Sequence, residues 1–154
     1  MIRNELSVSE QVTIQAAPAA VWDQLKNFDS LHAWHPAFAA DEIVEGTNNQ
    51  PGAVRKLTLK DGPSLTEELL SYDDAGLAMS YRILESPLPI DGYVSSMRVA
   101  PGSADGTSVV VWESTFKRKN PEPKPDETDE AVTELVSGVY TAGLDNLKEI
   151  VEAQ

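Results

Sequence analysis

The sequence predicts an α+β fold: a seven-stranded curved antiparallel sheet gripping a long C-terminal helix, with two short helices between strands 1 and 2. Three observations carry this expectation. Apolar-alternating segments recur between Glu42 and Phe116, divided by the turn signals GTNNQPG, KDGP, DDAG, ESPLPIDG and APGSADG, the pattern of an antiparallel meander. Near the C-terminus, Val132, Leu135, Val136, Val139, Gly143, Leu147 and Ile150 recur at three- and four-residue steps, which describes a helix of about six turns with one apolar face. That face must be buried, and a sheet with one apolar side is the natural cover.

In order along the chain, Leu6 to Ile14 alternates as a half-buried strand. Pro18 opens a short helix, since proline at the first helical position lacks only an N–H that would be unpaired anyway; Val21, Trp22, Leu25 and Phe28 are its inward residues. A second short helix in LHAWHPAF is expected to stop near His35, ahead of Pro36. The meander strands are expected at Glu42 to Glu45, Ala53 to Leu59, Ser64 to Ser71, Ala78 to Leu84, Tyr93 to Val99 and Ser108 to Lys117. KRKNPEPKPDETDE combines proline with charge, cannot hold a ladder, and reads as a mobile linker.

The 154 residues suit one domain spanning 1–154, with 41% hydrophobic and 24% charged side chains. A net charge of -13 repels phosphate backbones and anionic membrane surfaces, so no nucleic-acid partner is expected. Cysteine is absent, which removes thiolate chemistry and fits a reducing compartment. The opening MIRNELSVSEQVTI has no apolar run for a signal peptide or membrane span, so the expectation is a cytoplasmic protein without membrane insertion. No HExxH motif, phosphate-cradling glycine loop or Ser-His-Asp order is present. Neither a metal nor a cofactor is expected. His32 and His35 are the only histidines, and without a third ligand nearby they read as structural or rim residues.

With these segments in place, PAAVWDQLKNFDSLHAWHP, GAVRKL, LTEELLSYDD, SPLPIDGY, VVVWESTF and VYTAGLDNLKEIV follow one another in an order that resembles the START-like, or helix-grip, SRPBCC superfamily, in its polyketide cyclase/dehydrase-like branch. The similarity covers almost the whole chain. It implies a cavity between sheet and final helix, in a fold that hosts carriers, receptors, cyclases and chaperone-binding domains. By position, the plant abscisic-acid receptors of this superfamily imply that Glu67, Tyr81, Ile83, Tyr93, Ser95 and Glu113 face the pocket, with Leu135, Val139 and Gly143 on the helix. Two departures stand out. The receptors' carboxylate-pairing lysine falls on Ala39, and their gate loop is replaced by the tight turn KDGPS. The loop Pro87, Leu88, Pro89 and Ile90 sits where the receptors carry their latch, and reads as a lid-like rim or an ordinary rigid turn.

Period-two arithmetic adds a separate reading of the strand faces. Arg55, Leu57 and Leu59 share a face, as do Leu65, Glu67, Leu69 and Ser71; Tyr93, Ser95, Met97 and Val99; and Val109, Val111, Glu113 and Thr115. These sets are taken as the concave side. Arg55, Glu67, Tyr93 and Glu113 would then share one low-dielectric space, as a functional cluster or as a satisfied internal ion pair. Trp34 and Phe38 either close one end of the cavity or pack against Trp22. Gly138 and Gly143 either leave room beneath the helix or allow close packing.

Three functions remain open on this reading. One is binding of a small hydrophobic ligand, aromatic, lipid-like or polyketide-like, by Arg55, Leu57, Leu59, Glu67, Leu69, Tyr81, Ile83, Leu88, Tyr93, Ser95, Met97, Glu113, Leu135, Val139 and Gly143. The second is a cyclase or dehydratase using Glu67, Glu113, Tyr93 and Arg55 as acid, base and positioning groups. The third is a partner-binding module with a filled core.

Overall fold

A computed structural model describes residues 3–154; the first two residues of the expected 1–154 unit lie outside the described residues. Strand β1 (Leu6–Ile14) leads into α1 (Pro18–Leu25) and a short 3-10 helix (Phe28–Ala33). Six strands follow: β2 (Phe38–Glu45), β3 (Val54–Leu59), β4 (Ser64–Asp73), β5 (Ala78–Glu85), β6 (Ile90–Pro101) and β7 (Ser108–Arg118). Helix α2 (Asp129–Glu152) closes the chain. The seven strands form one antiparallel sheet in the order β1-β7-β6-β5-β4-β3-β2, which is the expected architecture.

Register irregularities bend this sheet at Phe38/Ala40, Ile43/Glu45, Leu69/Ser71 and Asp91/Val94, since each extra residue turns its strand and sharpens the twist. The concave side so formed receives α2, whose Val132, Val136, Tyr140, Leu144, Leu147 and Val151 are buried. Thr128 caps that helix by accepting from the Ala131 N–H, and Asp129 and Glu130 place negative charge at its positive end. The expected mobile linker is instead tied down. Arg118 donates to the carbonyls of Asn120 and Pro121 and pairs with Asp129 at 2.8 Å, while Lys124 and Glu127 close a turn.

Two strand phases differ from expectation. In β7 the parity of Val110, Trp112, Ser114 and Phe116 is buried throughout, whereas on the other Thr115 is exposed, Glu113 and Val109 are half-exposed and Val111 alone of the assigned set is buried; the face assigned from Val109, Val111, Glu113 and Thr115 is the outer one. β2 starts at Phe38 rather than Glu42, and its bulge carries Asp41 inward.

Candidate ligand cavity

Between the sheet and the first half of α2 lies an apolar cavity of about 70 Å³. Its sheet wall is built by Leu57 and Leu59 of β3, Leu65 and Glu67 of β4, Tyr81 and Ile83 of β5, Tyr93 of β6 and Trp112 of β7. The helix contributes Leu135, Val136, Val139 and Tyr140, and the ends are completed by Leu31, Phe38, Leu88 and Ile90. Leu135, 38% exposed, stands at the outer end with half-buried Leu59, Ile83, Leu88 and Val139. Period two explains this composition, because every second residue of β3 to β6 projects to the concave side.

One wall carries charge. Arg55, 4% exposed, donates from Nε and Nη2 to Oε1 of Glu67 at 2.9 and 2.7 Å, and from Nη1 to the Phe28 carbonyl at 2.8 Å. Its guanidinium lies 4.0 Å from the Phe28 ring centre and 4.8 Å from that of Tyr81, so aromatic faces supply part of the solvation lost on burial. A second carboxyl, Asp41, sits 3.8 Å from Arg55 Nη1 and accepts from the Leu31 N–H, while its other oxygen, Oδ1, is buried without a partner. Burial pushes Asp41 up to about 7, against the pull of Arg55. Burial also raises Glu67, opposed by the same guanidinium. The shorter, two-donor contact makes Glu67 the ionic partner of Arg55, and Asp41 the carboxyl that takes up a proton near neutrality.

Behind the cavity runs a chain of hydroxyls. Tyr93 and Tyr140 share a short hydrogen bond, Tyr140 and Ser95 are linked at 2.9 Å, and Trp112 Nε1 donates to Tyr81 and Ser95 at 3.0 and 3.1 Å. Burial raises all three tyrosines, and Tyr93 lies well above its ordinary value. They stay protonated at any ordinary pH.

His35 fixes the opposite end of the wall. Its Nδ1 accepts from the Ala37 N–H at 3.1 Å, so Nε2 carries the proton and donates to the Val139 carbonyl at 2.7 Å. Burial lowers its basicity, and the ring stays neutral. Gly143 makes room for it: a Cβ there would come 2.4 Å from His35 Cδ2. Gly143 is therefore a close-packing residue rather than a lining one, and Gly138 is exposed with open space around it. His32 is exposed. Trp34 packs on Trp112 at 5.6 Å, whereas Trp22 packs on Tyr72 at 5.9 Å, so the expected Trp34–Trp22 contact is replaced by a different pair.

Of the residues read from sequence, Leu57, Leu59, Glu67, Tyr81, Ile83, Leu88, Tyr93, Leu135 and Val139 line this space. Arg55 stands behind Glu67, and Ser95 holds the hydroxyl chain. Leu69 and Met97 are core residues away from the cavity. Glu113 is a correction: it faces out, pairs with Arg98 at 2.7 Å on the convex side and accepts from Ser9. The sequence reading missed Asp41, Trp112 and Tyr140 as site residues.

The comparisons with known proteins bear on this arrangement directly. The family described as polyketide cyclase / dehydrase and lipid transport matches residues 5–152. The chain belongs to that family. Among solved structures, an uncharacterized protein from Bacillus thuringiensis is 29% identical, with a TM-score of 0.84 over 95% of this chain and 98% of that one. The protein XoxI from Bacillus cereus is 29% identical, with a TM-score of 0.84 over 94% of each chain. The Zhui aromatase/cyclase from a Streptomyces species shares the fold, with a TM-score of 0.81, 21% identity, and 97% of this chain and 94% of that one covered. Among the described residues no helix is long and apolar enough to cross a membrane.

Proposed function

We propose that this member of the polyketide cyclase/dehydrase and lipid transport family binds a small hydrophobic molecule between the sheet and α2. The observation that carries this reading is an apolar cavity of about 70 Å³ with one carboxylate, Glu67, on its wall. Apolar burial supplies affinity and a single fixed polar group supplies orientation. Glu67 is well suited to that second task, because Arg55 holds it by two hydrogen bonds and its position is set before a ligand arrives.

A second reading, cyclase or dehydratase chemistry in the same space, is favoured by the adjoining Tyr93–Tyr140–Ser95 hydroxyl chain. A proton can be passed along such a chain while Glu67 orients the substrate. The same experiment separates the two. Native mass spectrometry of the gently purified protein, with titration of an apolar fluorophore, is expected to show one bound molecule per chain. Leu88→Trp, which fills the outer end, is expected to abolish it. Binding unaffected by Leu88→Trp refutes the cavity as the site, and a bound compound released chemically changed supports the enzyme.

A further inference from the structure

We infer that the cavity takes a small apolar amine in its cationic form, one ring carrying one ammonium group. This rests on the binding reading above and adds to it a ligand class. Two observations carry it: the buried charges beside the cavity do not balance, and the space has the size of one ring.

The charges can be counted. Asp41 and Glu67 are both buried carboxyls, and Arg55 is the one cation between them. Glu67 holds Arg55 by two hydrogen bonds through Oε1. Asp41 stands 3.8 Å from Arg55 Nη1, beyond hydrogen-bonding range, and its Oδ1 is buried without a partner. An ionised group in the interior is costly unless it is paired, so with both carboxyls ionised the cluster is one positive charge short. A proton on Asp41 makes up the shortage below about pH 7. A ligand cation makes it up without that proton.

The neighbouring elements do not supply the charge. Asp41 lies on β2, which packs on β3 and the 3-10 helix. From β3 it is faced by Arg55, while Lys56 is exposed; from the 3-10 helix it is faced by Asp29, a further negative charge, while His32 is exposed. Glu67 of β4 also acts on it, and Glu42 and Glu45 of its own strand are exposed.

The seat for a cation is Glu67. It lines the cavity, and its Oε2 accepts no hydrogen bond among the described residues. Arg55 stands behind it, against the Phe28 and Tyr81 rings, so the carboxylate is the group that a ligand in the cavity meets. An ammonium donates to Oε2 and balances the cluster. A hydroxyl also donates, but leaves the charge count unchanged, and a ligand carboxylate meets Glu67 as a like charge. Phe38, Tyr81, Tyr93, Trp112 and Tyr140 form much of the wall, and aromatic rings are the apolar groups that attract a cation. The net charge of -13 draws cations toward the protein.

Size sets the rest of the molecule. A water needs roughly 10–15 Å³ of such space, so a cavity of about 70 Å³ takes about five waters or one six-membered ring.

The test is calorimetric titration of benzylamine, benzyl alcohol, toluene and benzoate at pH 6 and pH 8 into the wild-type protein and Asp41→Asn, with thermal unfolding to verify the variant fold. At pH 8 benzylamine is expected to bind at least tenfold tighter than benzyl alcohol or toluene, because it alone brings a charged donor to the carboxylate, and benzoate is expected not to bind. From pH 6 to pH 8 benzylamine affinity is expected to rise about tenfold, since below about pH 7 the ligand must displace the Asp41 proton; toluene affinity is expected not to rise. Asp41→Asn balances the charges beforehand. It is expected to remove that pH dependence and most of the advantage of benzylamine over toluene, with toluene binding retained. The wild-type series decides on its own if the variant does not fold. Equal or tighter binding of benzyl alcohol, toluene or benzoate overturns the cation selection and leaves the apolar-cavity reading standing. Benzylamine affinity that is flat from pH 6 to pH 8, or unchanged in Asp41→Asn, overturns the proposal in the same way. Failure of all four to bind overturns both.

Discussion

Helix α2 carries two glycines for which the same substitution should act in opposite directions. Alanine replaces glycine in a helix interior with a gain of about 1 kcal/mol, because glycine loses more backbone freedom on folding. At Gly138 a Cβ meets nothing within 4 Å, so Gly138→Ala should realise that gain. At Gly143 the new Cβ lies 2.4 Å from His35 Cδ2 and 3.0 Å from Trp112 Cζ3. His35 cannot retreat freely, since it is buried against the Trp34, Phe38 and Trp112 rings and donates to Val139. Overpacking of this kind costs about 1–3 kcal/mol, and weakening a buried hydrogen bond adds about 1–3 more. Set against the helix gain of about 1 kcal/mol, Gly143→Ala should lose about 1–5 kcal/mol net. Each kcal/mol moves Tm by roughly 2–4 °C for a chain of this size. Thermal unfolding of the two variants should therefore show Gly138→Ala melting above the wild type and Gly143→Ala below it. Stabilisation by both to a similar degree would refute the account of Gly143 as the seat of His35.

Asp41 gives stability a pH dependence whose sign follows from its raised value, from 3.8 to about 7. The folded protein holds this proton where the unfolded chain has lost it, so the contribution is full below about pH 4 and is lost as pH rises through about 7. Asp41→Asn should flatten that slope and raise Tm at pH 8 relative to the wild type, as measured by unfolding from pH 5 to 8. Arg55→Met or Glu67→Leu alone should cost about 3–5 kcal/mol, by stranding the other charge in the interior. The double variant should cost less than the sum, and equilibrium denaturation of the full cycle measures the coupling. Glu113→Gln, on the convex surface with Arg98, should change stability by no more than about 1 kcal/mol and leave binding of an apolar fluorophore as it was.

The meander, the terminal helix and the family were legible because their signals are distributed: loose markers from PAAVWDQL to VYTAGLDNL fall within the matched residues 5–152. Strand faces are legible from alternation in β3, β4 up to Leu69, and β6. β7 broke this rule. Val109, Val110 and Val111 are all apolar, so alternation gives no phase there, and a pattern drawn from Glu113 inverted it. Trp112 and Phe116 share a parity, and their bulk was the available signal that this parity faces the core. Asp41 was invisible for a different reason: the bulge between Phe38 and Ala40 changes the count of residues between two inward side chains. Tyr140 is hidden for a third reason: the aliphatic stripe Leu135, Val136, Val139 and Gly143 marks a helical face one step away from the buried centre that Val136, Tyr140 and Leu144 form.

The cavity also bears on stability, and filling it separates a ligand site from incidental looseness. An unfilled space of about 70 Å³ costs about 2 kcal/mol at roughly 24 cal/mol per Å³. On the same wall, Arg55 and Glu67 form a buried ion pair, an arrangement that well-packed apolar residues often match or exceed in stability. Both features weaken the core at one place, as a preformed site does. Val139→Leu tests this, since it adds one methylene from the helix side into the space, and a buried methylene is worth about 0.8 kcal/mol. The variant should gain up to about 1 kcal/mol in denaturant unfolding and bind an apolar fluorophore more weakly. Destabilisation would mean that the added carbon finds no room, and the argument for a preformed cavity against α2 would then fail.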